Sequence, residues 1–489
     1  MGATGDVWDV AVIGAGPAGA TAARVAAAAG SRVIVLERFG LPRYKTCGGG
    51  LIDRSLKALP PELRLPFRAH AVALTFSMHG RLARTRKAAE PVISLVQRDE
   101  FDAALVAAAT ATGAVVRDRA VVTRLKEERE AVCVSTREHG VIRARAVVGA
   151  DGTAGRCAGY VGVRYDQVDL GLELEIPTPP EQRAAWADRV LIEWGPIPGS
   201  YAWVFPKGDN LSVGVIAATG TGEQVRGYLD EFVSRVRLSH VKPTVSSGHL
   251  TKCRASGAPL YRGRVLVAGD AAGLLDPWSR EGISFALRSG AAAGQAAAQA
   301  ARAADGDEAA LVFAGYADTI TATLAPEMQA GQAFMRAFKR HPLAMHLALI
   351  LVPQAWDLFA GVISGRASIA SITKRRPIRI ALRVLAALPG TVLWPIEAYL
   401  TLTPGPNPLP GSEPPGSLGP ALPRFTGRQP EGKSRLTCRL FARGKKNRLQ
   451  TRFSYTLRKA FTLFGARHQI RPRDIVKYRA RRTGPDRRA

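Results

Sequence analysis

Cysteine is scarce in this 489-residue chain, which has five, and no two of them form a CxxC pair. Scattered cysteines argue against a zinc site or a disulfide scaffold and favour a reducing compartment. The first residues lack a basic segment followed by an apolar run, so a signal peptide is not predicted. We therefore expect a cytoplasmic protein without a metal site.

Long uninterrupted apolar segments are also missing. The two most apolar stretches, 343–363 and 378–400, contain charged residues and prolines, so neither is typical of a membrane span. Both belong to a region, 313–402, whose pattern is helical. Two interpretations stay open for this region: packed helices, or interfacial helices that dip into a bilayer.

Acidic residues are few, 40 against 68 Lys and Arg, and the net charge of +28 is unevenly placed. After residue 423 the chain has 21 basic and three acidic residues, so about 18 of the net charges lie there. Residues 403–489 are predicted to form a Pro/Gly-rich linker and a disordered basic tail. The alternatives are binding to anionic lipid headgroups on the inner face of a membrane and nonspecific contact with nucleic acid. No specific nucleic-acid partner is expected, because the chain contains no recognised nucleic-acid module.

A strand, a glycine turn and a helix follow one another near the start, where residues 10–19 read VAVIGAGPAG. The first four residues are apolar and suit a buried parallel strand. Gly14 permits the tight turn, Gly16 lets the backbone approach a pyrophosphate, and Gly19 lets the helix pack close to the sheet. The helix from Pro17 to Ala29 would aim its N-terminal amides at the phosphates. Together these features predict a dinucleotide site.

A second strand, 32–36, ends at an acidic residue with the spacing that a dinucleotide fold requires. The carboxylate of Glu37 can accept both ribose hydroxyls of an adenosine. Its negative charge disfavours a bound 2′-phosphate, and therefore NADP, at this turn. The motif alone does not separate FAD from NAD.

Further segments of a dinucleotide domain recur along the chain. A strand closes on GADG at 149–152, and another, 265–268, runs into Gly269 and Asp270. Sheet-rich stretches lie between these segments. This order predicts a dinucleotide-binding domain interleaved with a second sheet domain.

Three motifs carry a family resemblance. The glycine turn and Glu37 are followed at 42–51 by PRYKTCGGGL, similar to PRxKxCGGGL at every fixed position. YAWVFPK at 201–207 is similar to YxWxFPK, and GDAAGLLDP at 269–277 is followed by EGI at 281–283. Together they resemble the geranylgeranyl reductase family of FAD-dependent oxidoreductases, within the para-hydroxybenzoate-hydroxylase-like flavoproteins. The resemblance covers about residues 6–400.

With the pattern of segments, the resemblance implies an α/β fold. We expect a Rossmann-like FAD-binding domain with an interleaved antiparallel-sheet substrate domain, a C-terminal helical region and the disordered basic tail. The expected boundaries are 1–165 and 251–312 for the FAD-binding domain and 166–250 for the substrate domain, with 66–97 contributing to the substrate sheet.

FAD is the cofactor that the resemblance implies. Asp270 would hydrogen-bond a ribityl hydroxyl, and the helix beginning near Gly282 would aim its amides at the pyrimidine end of the flavin. The residues expected to hold FAD are Gly14, Gly16, Pro17, Ala18, Gly19, Glu37, Arg38, Lys45, Cys47, Gly48, Gly49, Arg98, Asp151, Gly269, Asp270, Gly282 and Ile283.

Three positions leave alternatives open. Arg98 matches the group's RxxFD motif and would reach the pyrophosphate, or it is a surface arginine at a helix start. Asp151 lies in a GADG segment that departs from the group's pattern, because Gly155 stands where the group usually has Ser. Arg280 stands where the family commonly has the first Gly of GEG, and it either adds a positive charge near the flavin or faces solvent.

The resemblance also implies the reaction type. Related aromatic hydroxylases usually have His after GDAA, whereas this chain has Gly273, as the reductases do. The implied reaction is reduction of C=C bonds in geranylgeranyl or polyprenyl chains of lipids or quinones, by flavin hydride transfer and protonation. A flavin-dependent monooxygenase of the same fold is the alternative. A membrane-tethered flavoprotein whose tail is an interaction module is the third possibility.

An unpolarised alkene needs a proton donor and an apolar channel. Cys47 is the candidate catalytic donor, and a packing or flavin-contact role stays open for it. The residues expected to line the substrate channel are Gly50, Tyr201, Trp203 and Pro277. The two aromatic residues would otherwise be core side chains of the sheet.

Only one dinucleotide fingerprint is present. NADPH would therefore reduce the flavin without a Rossmann domain of its own, and reduced ferredoxin is the other candidate electron donor. The basic charge would suit an acidic electron-transfer protein.

Overall fold

The structure, a computed structural model, describes residues 7–218 and 222–388. Its first sheet is built around Trp8–Ile13, which pairs in parallel with Val33–Leu36 on one side and Val141–Gly149 on the other. These central strands are almost entirely apolar because helices or loops cover both faces of a parallel sheet. The strands along the main path, in order, are Tyr261–Arg262, Val265–Val267, Val141–Gly149, Trp8–Ile13, Val33–Leu36 and Val115–Arg117, and Val132–Thr136 and Val122–Glu127 continue antiparallel from Val141–Gly149.

The glycine turn leaves this sheet as its sequence predicts. Gly14 has a φ of +99°, in the left-handed region that favours glycine. A Cβ on Gly19 would lie 1.8 Å from the carbonyl oxygen of Gly14. The helix Pro17–Ala28 can therefore pack directly on the turn, and Ile283–Ala300 packs alongside this helix.

A seven-stranded sheet forms the second layer. Its long central pair, Tyr165–Pro177 and Asn210–Ala218, is antiparallel, and Ala73–Met78 joins Arg189–Trp194 in parallel. The edge strand Arg81–Lys87 carries exposed basic side chains, which discourage pairing with another chain. The order of the strands is Val245–Arg254, Tyr165–Pro177, Asn210–Ala218, Tyr201–Lys207, Arg189–Trp194, Ala73–Met78 and Arg81–Lys87.

The region 66–97 divides between two sheets. Ala73–Met78 and Arg81–Lys87 join the seven-stranded sheet. Phe67–Ala71 and Ile93–Val96 instead form a third, small sheet with Gly50–Leu51. This small sheet ties the segment after Cys47 to the strands that enter the second layer. The domain boundaries themselves stay predictions.

Helices cover the sheets and close the molecule at one end. Arg98–Ala111 begins next to the cavity described below, and Gly222–Arg235 packs on the seven-stranded sheet. The other helices, including two short 3₁₀ segments, are Asp53–Lys57, Cys157–Val161, Pro180–Gln182, Arg183–Trp186, Gly269–Ala272, Gly306–Thr323, Ala325–Arg340, Pro342–Leu351, Pro353–Ile363, Ile369–Lys374 and Arg376–Ala387.

Part of the C-terminal helical region packs on the second sheet. Phe338, Leu343 and Trp356 join Phe76 and Trp194 in one buried cluster, so the interpretation as packed helices holds for this part. Within the described ranges no single helix is long and apolar enough to cross a membrane. The helices Pro342–Leu351 and Pro353–Ile363 together have the length and composition of a membrane span, but the pair is bent by 93°. The predicted linker and basic tail lie outside the described residues.

Candidate active site

One cavity of about 920 Å³ extends from the glycine turn to the C-terminal helices. Most of the predicted site residues line it, although they come from segments far apart in sequence. Those that line the cavity are Gly14, Gly16, Pro17, Ala18, Glu37, Arg38, Lys45, Cys47, Gly48, Gly49, Gly50, Arg98, Asp151, Tyr201, Trp203, Asp270, Gly282 and Ile283. Gly19, Gly269 and Pro277 are not among the lining residues.

Glu37 connects the second strand to the glycine turn at one end of the cavity. The Ala15 amide donates to its Oε2 at 2.8 Å, and the Phe39 amide donates to Oε1 at 3.2 Å. Each carboxylate oxygen retains acceptor capacity after these bonds. The buried carboxylate is therefore held in place where a ribose would be recognised.

Two arginines share one buried carboxylate beside this turn. Arg98 makes two 3.0 Å hydrogen bonds to Asp102, and Arg43 lies 3.0 Å from Asp102 and 3.4 Å from Glu37. Arg98 is only 8% exposed, so the alternative of a surface arginine is wrong. Burial opposes its charge, but Asp102 and then Cys47 raise the pKa of Arg98 above its usual range. The cavity thus has a permanent cation where a pyrophosphate would need one.

Lys45 adds a third cation beside these two arginines. Burial, followed by the positive charge of Arg98, lowers the pKa of Lys45 to about 8, although Asp270 and Cys47 act in the opposite direction. A lysine in this state can exchange a proton near neutral pH.

Asp151 lines the cavity and has one buried carboxylate oxygen without a hydrogen-bond partner among the described residues. Its Oδ2 accepts from the amides of Arg156 and Cys157 at 2.6 and 3.0 Å. Its Oδ1 is buried and has no hydrogen-bond partner among the described residues. A Cβ on Gly155 would lie 2.0 Å from the Asp151 carboxyl carbon, so this position of the carboxylate is compatible with glycine at residue 155. Burial raises the pKa of Asp151 because it disfavours the charged carboxylate. A ligand group that donated a hydrogen bond to this carboxylate would offset the free-energy cost of its unpaired oxygen.

Asp270 also lines the cavity. Asp270 lies in the short 3₁₀ segment Gly269–Ala272, which the Ser289 hydroxyl holds by accepting from the Gly269 amide at 3.0 Å. The N-terminus of Ile283–Ala300 also faces the cavity. A glycine turn, buried cations, an orphan carboxylate oxygen and a helix N-terminus fit FAD along this part of the cavity.

Cys47 lines the cavity close to both charged and aromatic residues: it is next to Arg98, and a Cβ on the adjacent Gly48 would lie 2.8 Å from the Phe205 ring. The Gly49 amide donates to its Sγ at 3.4 Å. The ammonium group of Lys207 donates to the Cys47 carbonyl oxygen at 3.1 Å and pairs with Glu175 at 2.6 Å. The Cys47 loop is therefore fixed to the second sheet through a buried ion pair.

A chain of hydrogen bonds extends from Trp203 behind this loop. The Trp203 indole donates to the Ser212 hydroxyl at 3.1 Å, and that hydroxyl donates to Glu173 at 2.8 Å. Burial raises the pKa of Glu173 more than the nearby Lys207 lowers it. Sequence reasoning missed Glu173, and it quoted Lys207 within YAWVFPK without assigning it a role.

Glu281 is another carboxyl group that sequence reasoning left without a role. It lines the cavity, and its Oε1 accepts from the Ser284 amide at 2.7 Å and from the Ser55 hydroxyl at 3.4 Å. Burial, and to a smaller extent Asp276, raises the pKa of Glu281 to about 7. The group is therefore half protonated near neutral pH.

Arg280 packs inside the protein. Its guanidinium lies 3.3 Å from Asp169 and 5.5 Å from the ring centroid of Tyr201, so the interpretation that it faces solvent is wrong. Its φ of +57° is in the left-handed region, which explains the Gly that the family commonly has at this position. Asp169 balances its charge.

The other end of the cavity is apolar. Trp278 lines it, whereas its neighbour Pro277 does not, and Trp278 stacks on Phe334 with ring centroids 5.1 Å apart. The remaining lining there comes largely from residues that sequence reasoning did not select. They include Leu74, Phe76, Ile192, Trp194, Phe338, Met345, Leu349, Leu358, Phe359, Val362, Ile369, Ile378, Leu382 and Leu385. Helical periodicity identifies apolar faces in this region but does not say that a cavity lies under them.

Comparison with known sequences identifies the cofactor domain. A family model described as an FAD binding domain matches residues 7–308. A digeranylgeranylglycerophospholipid reductase of Methanopyrus kandleri is 32% identical over 316 residues, which cover 60% of this chain and 81% of that protein. Digeranylgeranylglycerophospholipid reductase 3 of Methanosphaera stadtmanae is 28% identical over 340 residues, covering 64% of this chain and 82% of that protein.

Solved structures share the fold. A geranylgeranyl bacteriochlorophyll reductase-like protein of Thermoplasma acidophilum superposes with a TM-score of 0.63 at 22% identity, covering 78% of this chain and 99% of that one. A flavin-dependent brominase superposes with a TM-score of 0.61 at 17% identity, with the same coverage. The expected Rossmann-like, FAD-binding α/β fold is confirmed, and it also serves other flavoenzymes. With the FAD domain and the reductase relatives in agreement, the chain belongs to the geranylgeranyl reductase family of FAD-dependent oxidoreductases.

Proposed function

We propose that this protein reduces C=C bonds of geranylgeranyl or polyprenyl chains in lipids or quinones. One observation carries the proposal: a charged, glycine-lined part of the cavity continues into a part lined by aromatic and aliphatic side chains. A long hydrocarbon chain is bound favourably in the second part, because apolar side chains there remove it from water. A polar ligand would find few hydrogen-bond partners in that part. The names of the archaeal relatives support the same substrate class.

The residues of the polar part would hold FAD, which supplies a hydride when it is bound and reduced. Glu37 would accept the ribose hydroxyls, Arg98 would face the pyrophosphate, and Asp151 and Asp270 would accept from the remaining hydroxyls. The aromatic wall would exclude water from the alkene and hold it in one orientation.

Protonation of the alkene is assigned to Cys47. Its loop is held by Lys207 and lines the cavity together with Tyr201 and Trp203, so its thiol would lie near an alkene bound beside the flavin. Lys45 and Glu281 line the same cavity and can return a proton to the site between turnovers.

Anaerobic turnover with a geranylgeranyl lipid tests the proposal. Dithionite-reduced protein should raise the lipid mass by two units per bond reduced, as read by mass spectrometry. A hydroxylated product that forms only with oxygen would identify a monooxygenase instead. A lipid that is unchanged under both conditions would contradict the proposed substrate class.

NADPH and reduced ferredoxin are the proposed electron donors. Each would be mixed anaerobically with the oxidised flavoprotein, and loss of flavin absorbance would be followed. If added salt strongly slows flavin reduction by ferredoxin but not by NADPH, the result would support an acidic protein donor that binds the basic surface of the chain.

The basic tail is proposed to bind the anionic inner face of a membrane. Vesicle co-sedimentation of the full chain and of a chain without residues 404–489 would test this role. Equal binding to anionic and neutral vesicles would exclude the electrostatic version.

A further inference from the structure

The helix Arg376–Ala387 differs from the other helices of similar length. None of its residues is buried, whereas each of the other described helices of eight or more residues has buried side chains. It contacts the helices Ala325–Arg340 and Ile369–Lys374. Ile378, Ala381, Leu382 and Leu385 on its inner face line the apolar end of the cavity. We call Arg376–Ala387 the cover helix.

A second apolar face of the cover helix points outward. Ile380, Val384 and Leu388, at the helix end, are 38%, 41% and 36% exposed. Their spacing of four residues places them in one stripe along the helix. This stripe lies beside the cavity-lining face, so the apolar surface continues from the cavity to the outside.

The remaining face of the cover helix is cationic. Arg376, Arg379 and Arg383 are exposed, and helical spacing places them together opposite the cavity-lining side chains. Lys374 and Arg375 directly precede them and are also exposed. Arg340 donates to the Ala386 carbonyl oxygen, which anchors the far end of the helix to the body of the protein.

We propose that the cover helix docks on an anionic lipid bilayer and forms the entrance for the isoprenoid chain. Ile380, Val384 and Leu388 would lie among the acyl chains, while the arginines reach the phosphates of the headgroups. Each basic residue near such a surface contributes about 1 kcal/mol. A bilayer suits this surface better than a protein partner, because the exposed stripe is continuous with an apolar cavity. Only the entrance role rests on the proposed function; the docking does not.

Local fluorescence quenching tests the docking separately from any contribution of the tail. Full-length Val384→Trp would be mixed with vesicles of phosphatidylglycerol and brominated phosphatidylcholine. We expect more quenching than in the parent protein, and no added quenching for Leu311→Trp, a position that is 74% exposed on another helix. Vesicle binding without added quenching at position 384 would overturn the proposal.

Paired variants test the chemistry of the surface. Ile380→Asp/Val384→Asp and Arg379→Glu/Arg383→Glu should each lower partitioning into anionic vesicles at least about tenfold, since each removes one kind of contact. The matched controls are Leu311→Asp and Arg129→Glu/Arg137→Glu, which make similar changes at exposed positions elsewhere. Equal losses in the controls would overturn the proposal.

Turnover measurements distinguish bilayer docking by the cover helix from reduction of the lipid. Ile380→Asp/Val384→Asp should slow reduction of a geranylgeranyl lipid in vesicles but not of the same lipid dispersed in detergent. Equal rates on both forms would overturn the entrance role alone. Docking without reduction of either form by the parent protein would contradict the proposed function and leave the docking intact.

Discussion

The Arg280 guanidinium and the Asp169 carboxylate form an ion pair at 3.3 Å, with side chains 3% and 1% exposed. Gln167 adds a hydrogen bond to the same carboxylate at 2.6 Å. The ion pair links the segment that contains Arg280 to the strand Tyr165–Pro177 of the second sheet. Arg280 itself has a backbone conformation that favours glycine.

Arg280→Gly should destabilise the protein despite relieving this conformation. The relief is of order 1 kcal/mol, whereas an unpaired buried charge on Asp169 costs about 3–5 kcal/mol. Urea unfolding should therefore show a net loss of about 2–4 kcal/mol. Adding Asp169→Asn to the same chain should recover most of it, and a stable single variant would show that the carboxylate does not need the cation.

Asp270→Ala should weaken flavin binding, because the cavity loses an acceptor for a ribityl hydroxyl. The loss of one hydrogen bond to a charged group corresponds to about tenfold in the dissociation constant. Flavin content after dilution and gel filtration measures it, with the exposed Asp209→Ala as the control. Full occupancy in Asp270→Ala would contradict the placement of the ribityl chain.

Cys47→Ser should keep its flavin and lose most of its turnover, because a hydroxyl is a much weaker acid than a thiol. General acid catalysis typically contributes about 10²–10⁴-fold, so a loss of at least about 10² is expected. Cys133→Ser, which is outside the cavity lining, is the matched control. Undiminished turnover in Cys47→Ser would end the assignment of the proton donor.

Trp278→Ala and Pro277→Ala should separate a lining residue from its neighbour. Trp278 lines the apolar end and Pro277 does not, so only the tryptophan variant should raise KM for an isoprenoid lipid. Removing a buried aromatic contact is worth about 1–2 kcal/mol, or about tenfold in KM. Similar KM values for both variants would place the hydrocarbon chain elsewhere.

Glu281 should make stability depend on pH. Burial raises its pKa from 4.5 to about 7 in the folded protein. Between these values the folded state holds a proton that the unfolded chain has lost, so this contribution to stability is complete at low pH and disappears as pH rises through about 7. Glu281→Gln cannot ionise and keeps an acceptor for the Ser284 amide. Its free energy of unfolding should therefore fall less, by about 2–3 kcal/mol, from about pH 5 to about pH 8.

Urea unfolding across this pH range measures the effect. The exposed Glu130→Gln is the control and should follow the parent protein. Parallel curves for Glu281→Gln and the parent would show that Glu281 keeps its ordinary pKa in the folded state.

Sequence alone determined the features that depend on short-range backbone geometry. The turn at Gly14, the helix after it and the acid at Glu37 follow from local steric rules and a fixed spacing. The order of the motifs along the chain likewise predicted an FAD-binding fold with interleaved segments.

Only the tertiary structure decided which side chains share the cavity and what their protonation states are. The raised pKa of Glu281 and the lowered pKa of Lys45 come from burial by distant segments, and desolvation cannot be read from spacing. For the same reason, sequence could not select Trp278 over Pro277 or show that the cover helix faces a cavity. These properties depend on which surfaces meet after folding, and long-range packing sets that.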